Sequence, residues 1–139
     1  MKKLLLCALV GFTPLLHADT SKIRFSQGWI KHLPPVVPMR AGYLTIANNS
    51  KQAHEIIAFQ SESFERVELH ETMMLEGTMS MVELDSLPLP ANASEELKPG
   101  GKHLMLMRPK ESLDLGDDIN VTVTFEDGTS QRVQLEIRR

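Results

Sequence analysis

Cysteine is almost missing from this chain: its 139 residues include one, Cys7, inside the leading apolar stretch. The rest can form no disulfide and can offer no thiolate to a metal. That excludes a blue-copper electron-transfer centre, which needs a cysteine sulfur. A membrane-spanning run is missing too. Leu4 to Leu16 is apolar but broken by Thr13 and Pro14, and it falls short of the roughly 20 residues a spanning helix needs. Positive charge is not in excess, with 15 Lys and Arg against 18 Asp and Glu. The chain therefore carries no basic footprint for nucleic acid or an anionic membrane. No segment of useful length has a helical period. No glycine-rich phosphate loop occurs, and no Ser/His/Asp or Cys/His grouping has a supporting context.

The leading stretch reads as a cleaved signal peptide, residues 1–18. Lys2 and Lys3 precede the apolar run, and Leu16-His17-Ala18 offers a small residue before the cut. A lipid anchor on Cys7 is disfavoured, because Leu6 stands where a small residue is expected. The mature domain is then 19–139. It keeps 13 basic against 18 acidic side chains, a net charge of −5. Export permits disulfides, yet none is available, so the apolar core must hold this domain.

The mature part is a succession of short alternating runs separated by turn residues, which predicts an antiparallel sandwich or barrel. Ile23, Phe25 and Trp29 mark one strand. Pro34, Pro35 and Pro38 break regular structure and leave Met39 in an irregular segment. Tyr43 to Ala47 and His54 to Phe59 are further strands, the first ended by Asn48-Asn49-Ser50. Val67 and Leu69 alternate with Glu68 and His70. Met79, Met81 and Glu83 share a face. Glu95-Glu96 before Leu97 predicts one helical turn at most. Pro99-Gly100-Gly101 is a turn, with a strand from His103 to Arg108. Val121, Val123 and Phe125, then Glu126-Asp127-Gly128, then Val133, Leu135 and Ile137 form the clearest hairpin, signalled by Asp-Gly.

What is abundant is methionine, eight residues, some spaced with histidine: His70, ten residues, Met81, twenty-one residues, then His103-Leu104-Met105. His103, Met105 and Met107 alternate along a strand and so project together, while Leu104 and Leu106 point the other way. Two imidazoles and two thioethers form a soft, thiolate-free set that selects Cu(I). Such a set points to a copper carrier more than to an enzyme. Spacing alone leaves two readings open, because a single methionine is usually a gap filler in a core and a single histidine is more often a surface residue.

The stretch from His70 to Gly128 resembles the periplasmic copper chaperones of the PCuAC type, whose hallmark is this His–x10–Met–x21–His–x–Met spacing. Val67-Glu68-Leu69-His70-Glu71-Thr72, Leu97-Lys98-Pro99-Gly100-Gly101, His103-Leu104-Met105-Leu106-Met107 and Thr124-Phe125-Glu126-Asp127-Gly128 carry the likeness. Tyr43-Leu44-Thr45-Ile46 with Asn48 extends it to an earlier strand. The resemblance implies an all-β, cupredoxin-like Greek-key β-sandwich in a single domain. It implies one Cu(I) held by His70, Met81, His103 and Met105. It also implies periplasmic delivery to the dinuclear copper centre of cytochrome oxidase or to another copper chaperone. Two departures stand out. Val82-Glu83-Leu84 follows Met81 where many relatives have Arg-Pro. The sequence ends at Arg138-Arg139 without the His- and Met-rich tail that gives some relatives a second site, so one site is expected.

Other residues are weaker candidates. Met39, Met73, Met74, Met79 and Met107 could add thioether or simply pack. His32 and His54 lack a spaced methionine and are expected at the surface. Glu95-Glu96 and Asp117-Asp118 are expected in solvated loops. The domain is expected to be a monomer, with no nucleic-acid partner and no membrane attachment after cleavage. Rival readings are an exported copper oxidoreductase using the same site and a metal-free β-sandwich interaction module.

Overall fold

The computed structural model describes residues 19–139. The expected signal peptide and Cys7 lie outside the described residues. The strands are β1 (Ile23–Lys31), β2 (Met39–Asn48), β3 (His54–Gln60), β4 (Phe64–Leu75), β5 (Thr78–Leu84), β6 (Leu87–Leu89), β7 (Ser94–Leu97), β8 (Lys102–Pro109), β9 (Asp118–Phe125) and β10 (Ser130–Arg138). A single 3₁₀ turn, Thr20–Lys22, is the one helical element among the described residues. No helix among them is long and apolar enough to cross a membrane.

The expected all-β, antiparallel architecture holds. Seven strands run β4-β8-β2-β1-β10-β9-β3, and β3 returns to β4 through the Phe59–Val67 pair, closing the sheet. Closure removes the exposed edges that an open sheet presents. Every neighbouring pair in this ring is antiparallel except β1 with β10. Inside lie Ile30, Ile46, Phe64, Leu104, Leu106, Val123, Phe125 and Leu135, all essentially inaccessible to water. Packing there is tight. A Cβ on Gly42 would come within 2.9 Å of Leu106 and 3.3 Å of Leu135, so β2 carries glycine where it crosses these two leucines.

Three local expectations change. Glu95, Glu96 and Leu97 form no helical turn: they lie in β7, where Leu97 is buried and pairs with Leu44 of β2. Met39 opens β2 rather than lying in the irregular segment. Asp118 opens β9 rather than sitting in a loop.

Two polar side chains order the turns. Asn48, buried, donates through Nδ2 to the carbonyls of Gln52, Leu89 and Pro90 at 2.8, 3.0 and 3.1 Å. Its Oδ1 accepts from Ser50 N and Oγ. Arg40, also buried, donates to the carbonyls of Leu33, Pro34, Val37 and Met39 and so folds the proline-rich segment before β2. Burial lowers the pKa of its guanidinium.

Candidate metal centre

In an antiparallel ladder, directly paired residues share a face, and so do residues two apart on a strand. His70 of β4 pairs with His103 of β8, and Glu68 with Met105. Thr72 of β4 pairs with Met81 of β5. His70, Met81, His103 and Met105 therefore lie on one face of three adjacent strands. Leu69, Leu104 and Leu106 take the other face and are buried in the core. Only the register across β5, β4 and β8 places the middle methionine beside the two histidines.

The two imidazole centroids are 5.9 Å apart and the rings are inclined by 52°. His103 is only 4 % exposed. Its Nδ1 lies 3.0 Å from the Gly101 carbonyl oxygen. A carbonyl only accepts, so Nδ1 donates and, in the neutral ring, the lone pair is on Nε2. His70 is fixed the opposite way. Its Nε2 lies 2.7 Å from Glu68 Oε2; with a carboxylate accepting there, Nε2 donates and, in the neutral ring, the lone pair is on Nδ1.

Both lone-pair atoms, His70 Nδ1 and His103 Nε2, are buried without a hydrogen-bond partner. Each such atom costs on the order of 1–3 kcal/mol, so two of them side by side call for an explanation. A metal ion meets the need. Each ring offers one lone pair, while its other nitrogen is held by a carboxylate or a carbonyl, the arrangement that orients metal-bound histidine. Among the described residues no group of three or more His, Cys, Asp or Glu side chains is arranged to hold a metal. The further donors on this face are thioethers, Met105 half-buried and Met81 exposed. Two imidazoles with two thioethers fit Cu(I) and suit harder ions poorly.

Glu68 is the residue that sequence reasoning missed. Its side chain is 9 % exposed, and it holds both His70 and Arg66. The signal was available: residues two apart on a strand share a face, so Glu68 had to flank His70. The other candidates separate by register. Met107 pairs with Met39 and with Arg66, two residues beyond Met105 on the same face. Met74 pairs with Met79 beyond Met81, whereas Met73 pairs with Ser80 on the opposite face. His32 is half-buried. His54 is not at the surface: it is 3 % exposed, packs edge-on against Phe125, and lies 3.7 Å from Glu126. It opens β3 in phase with Ile56, so alternation carries it inward.

Residues 23–137 match the family described as "Putative lipoprotein LpqE-like". The chain belongs to the LpqE-like family. "Putative lipoprotein Lxx21020" of Leifsonia xyli is 31 % identical over 127 residues, which cover 91 % of this chain and 74 % of that protein. "Uncharacterized protein RP573" of Rickettsia prowazekii is 28 % identical over 127 residues, covering 88 % and 70 %. Among solved structures, the copper-bound PCuAC domain from PmoF2 superposes with a TM-score of 0.70 at 19 % identity, over 84 % of this chain and 92 % of that one. The Cu(I) form of DR1885 from Deinococcus radiodurans superposes at 0.62 with 26 % identity, over 80 % and 74 %. This LpqE-like chain thus shares the single-domain, cupredoxin-like β fold of the PCuAC domains.

Proposed function

We propose that the chain is an exported copper chaperone. One Cu(I) is its cargo, held by His70 Nδ1, His103 Nε2 and the sulfurs of Met81 and Met105. The observation that carries this reading is the pair of buried, unpartnered imidazole nitrogens beside thioethers on one sheet face. The copper-bound PCuAC domain of PmoF2 and Cu(I)-DR1885 share the fold, which supports the choice of metal. Carriage rather than catalysis follows from the donors. Met81 is 60 % exposed, so an acceptor can reach the ion from that side and exchange ligands one at a time. The acceptor in this reading is the copper centre of cytochrome oxidase or another copper protein in the periplasm, approached by a monomer that begins at Asp19. A leading segment of signal-peptide character and a relative described as a lipoprotein support export.

The test is a Cu(I) titration of the chain from Asp19 against a competing chelator, with X-ray absorption on the product. One equivalent should bind, with nitrogen and sulfur neighbours. Met105→Leu keeps volume and apolarity, so stability should change by less than about 1.5 kcal/mol, while copper affinity falls clearly. Nitrogen and oxygen scatterers alone, or equal affinity in the variant, would overturn the assignment.

A further inference from the structure

The β4–β5 hairpin projects beyond the closed ring and is regular to its tip. Leu75 pairs with Thr78, and Glu76 and Gly77 both have positive φ, 50° and 78°. Two successive left-handed residues make a type I′ turn, which keeps the ladder in register up to the turn. On the face that carries His70 and Met81, the last methionine pair is Met74 opposite Met79. These two are 66 % and 64 % exposed, and Met81, next but one to Met79, is 60 % exposed. Three large apolar side chains thus stand in water on one face of one hairpin, contributing little to the core.

We propose that Met74 and Met79, together with Met81, form a second, weaker soft-cation site that takes up Cu(I) at the tip and passes it to the buried histidines. This rests on the copper reading of the site below it. Directly opposed Cβ atoms in a ladder are about 4.5–5.5 Å apart, so two flexible thioethers can close on one ion. Met81 lies about 7 Å further along its strand, within reach of the same ion and of the site at His70. A methionine has three rotatable bonds and a polarizable sulfur, so Met81 can serve either site without backbone movement. Sulfur alone discriminates for Cu(I) over harder cations. Weaker binding is the expected consequence of exposure and of lacking imidazole. The carboxylates of Glu76 at the turn and Glu83 opposite His70, both exposed, favour the approach of a cation. Met73 has no part in this, because its register turns it to the other face.

The experiment uses the chain from Asp19 with methyl-labelled methionine and Ag(I), a redox-inert soft surrogate for Cu(I). Methyl resonances are followed through two equivalents. The first should move Met81 and Met105. The second should move Met74 and Met79, with affinity at least tenfold lower. Met74→Leu/Met79→Leu keeps the apolar surface and removes the sulfur. It should abolish the second event, leave the first unchanged, and slow loading from a Cu(I)–chelator complex severalfold. Stationary Met74 and Met79 methyls while Met81 and Met105 shift would overturn the tip site and leave the copper reading intact. No shift at any of the four would remove both. A double variant that loads as fast as wild type would overturn the uptake role and mark the tip as an apolar contact surface.

Discussion

The β9–β10 hairpin turns through Phe125–Gly128 and sends Val121, Val123, Phe125, Leu135 and Ile137 into the core. The β4–β5 hairpin turns at Glu76-Gly77 and leaves Met73, Met74, Leu75, Met79 and Met81 exposed. Both alternate, and both put sheet-compatible residues on matched faces. They differ in what lies across from them. The first is paired on both sides within the closed ring. The second has β8 beside only its lower part, as far as Glu71. The residue types follow this difference. Branched and aromatic side chains fill a fixed core, while the unpaired tip carries exposed methionine. Alternation tells which residues share a face; what covers the face is a tertiary fact.

The contrast should be plainest in stability. Phe125→Ala empties a fully buried position and should cost about 3–5 kcal/mol, read as a fall in the denaturant midpoint. Met74→Ala/Met79→Ala, which removes the bulk as well as the sulfur, should lower stability by less than about 1 kcal/mol, two ordinary surface changes of about 0.5 kcal/mol each. Comparable losses in the two variants would show that the tip is packing after all, and the distinction between the hairpins would fail.

The same contrast explains what was legible in the chain. The β9–β10 hairpin could be read because Val121, Val123 and Phe125 alternate with threonines and a turn signal follows. Its loop is Glu126-Asp127-Gly128 as expected, three residues between Phe125 and Thr129, with Gly128 N donating to Phe125 O and Gly128 at φ 84°. The turn at Glu76-Gly77 is a two-residue I′ turn, and there glutamate in place of Asn or Asp gives a weaker sign of it. β7 was missed because four residues with two adjacent glutamates resemble a helix start; its order comes from β2, not from itself. The residues of the proposed site were visible as a spacing, but their shared face was not, since it depends on the registers of β4 with β5 and with β8. His54 shows the limit from the other side. A histidine without a methionine partner looked like surface, yet its phase with Ile56 buries it.

Within the site the comparison is between a histidine held by backbone and one held by a side chain. His103 is fixed by the Gly101 carbonyl and His70 by the Glu68 carboxylate, so only the second can be altered by substitution. Glu68→Gln should lower Cu(I) affinity about 10–100-fold, the usual effect of losing a group that orients a metal-bound histidine. The amide can turn its NH₂ toward Nε2, which would move the ring proton to Nδ1 and remove the lone pair offered to the metal. Nitrogen-15 shifts of His70 in the metal-free protein should then report the changed tautomer, and those of His103 should stay as they were. Unchanged affinity with an unchanged tautomer would reduce Glu68 to a partner of Arg66.

The smallest expected effect separates the two turns by their chemistry. Asp127 accepts from Thr129 Oγ1 at 2.6 Å and from Thr129 N at 2.9 Å, which clasps the β9–β10 turn. These bonds favour the ionised carboxylate and hold its pKa below the ordinary aspartate range, the side-chain bond contributing most. A depressed folded-state pKa means that the unfolded chain binds the proton first as pH falls. The contribution is therefore fully present above the unfolded value of about 3.9 and is lost as pH drops from there through the folded value. Asp127 is exposed at the turn, so solvent screening keeps the effect small. Denaturant midpoints measured from about pH 6 down to about pH 3 should show a slope that begins near the unfolded aspartate value. Asp127→Asn keeps an acceptor for Thr129 but cannot ionise, so it should flatten the part of the slope that this turn supplies. Thr129→Val removes the hydroxyl that makes the shorter of the two bonds to Asp127 and should flatten the same part of the slope. If neither variant flattened it, the clasp at Asp127 would not be what distinguishes this turn from the one at Glu76-Gly77.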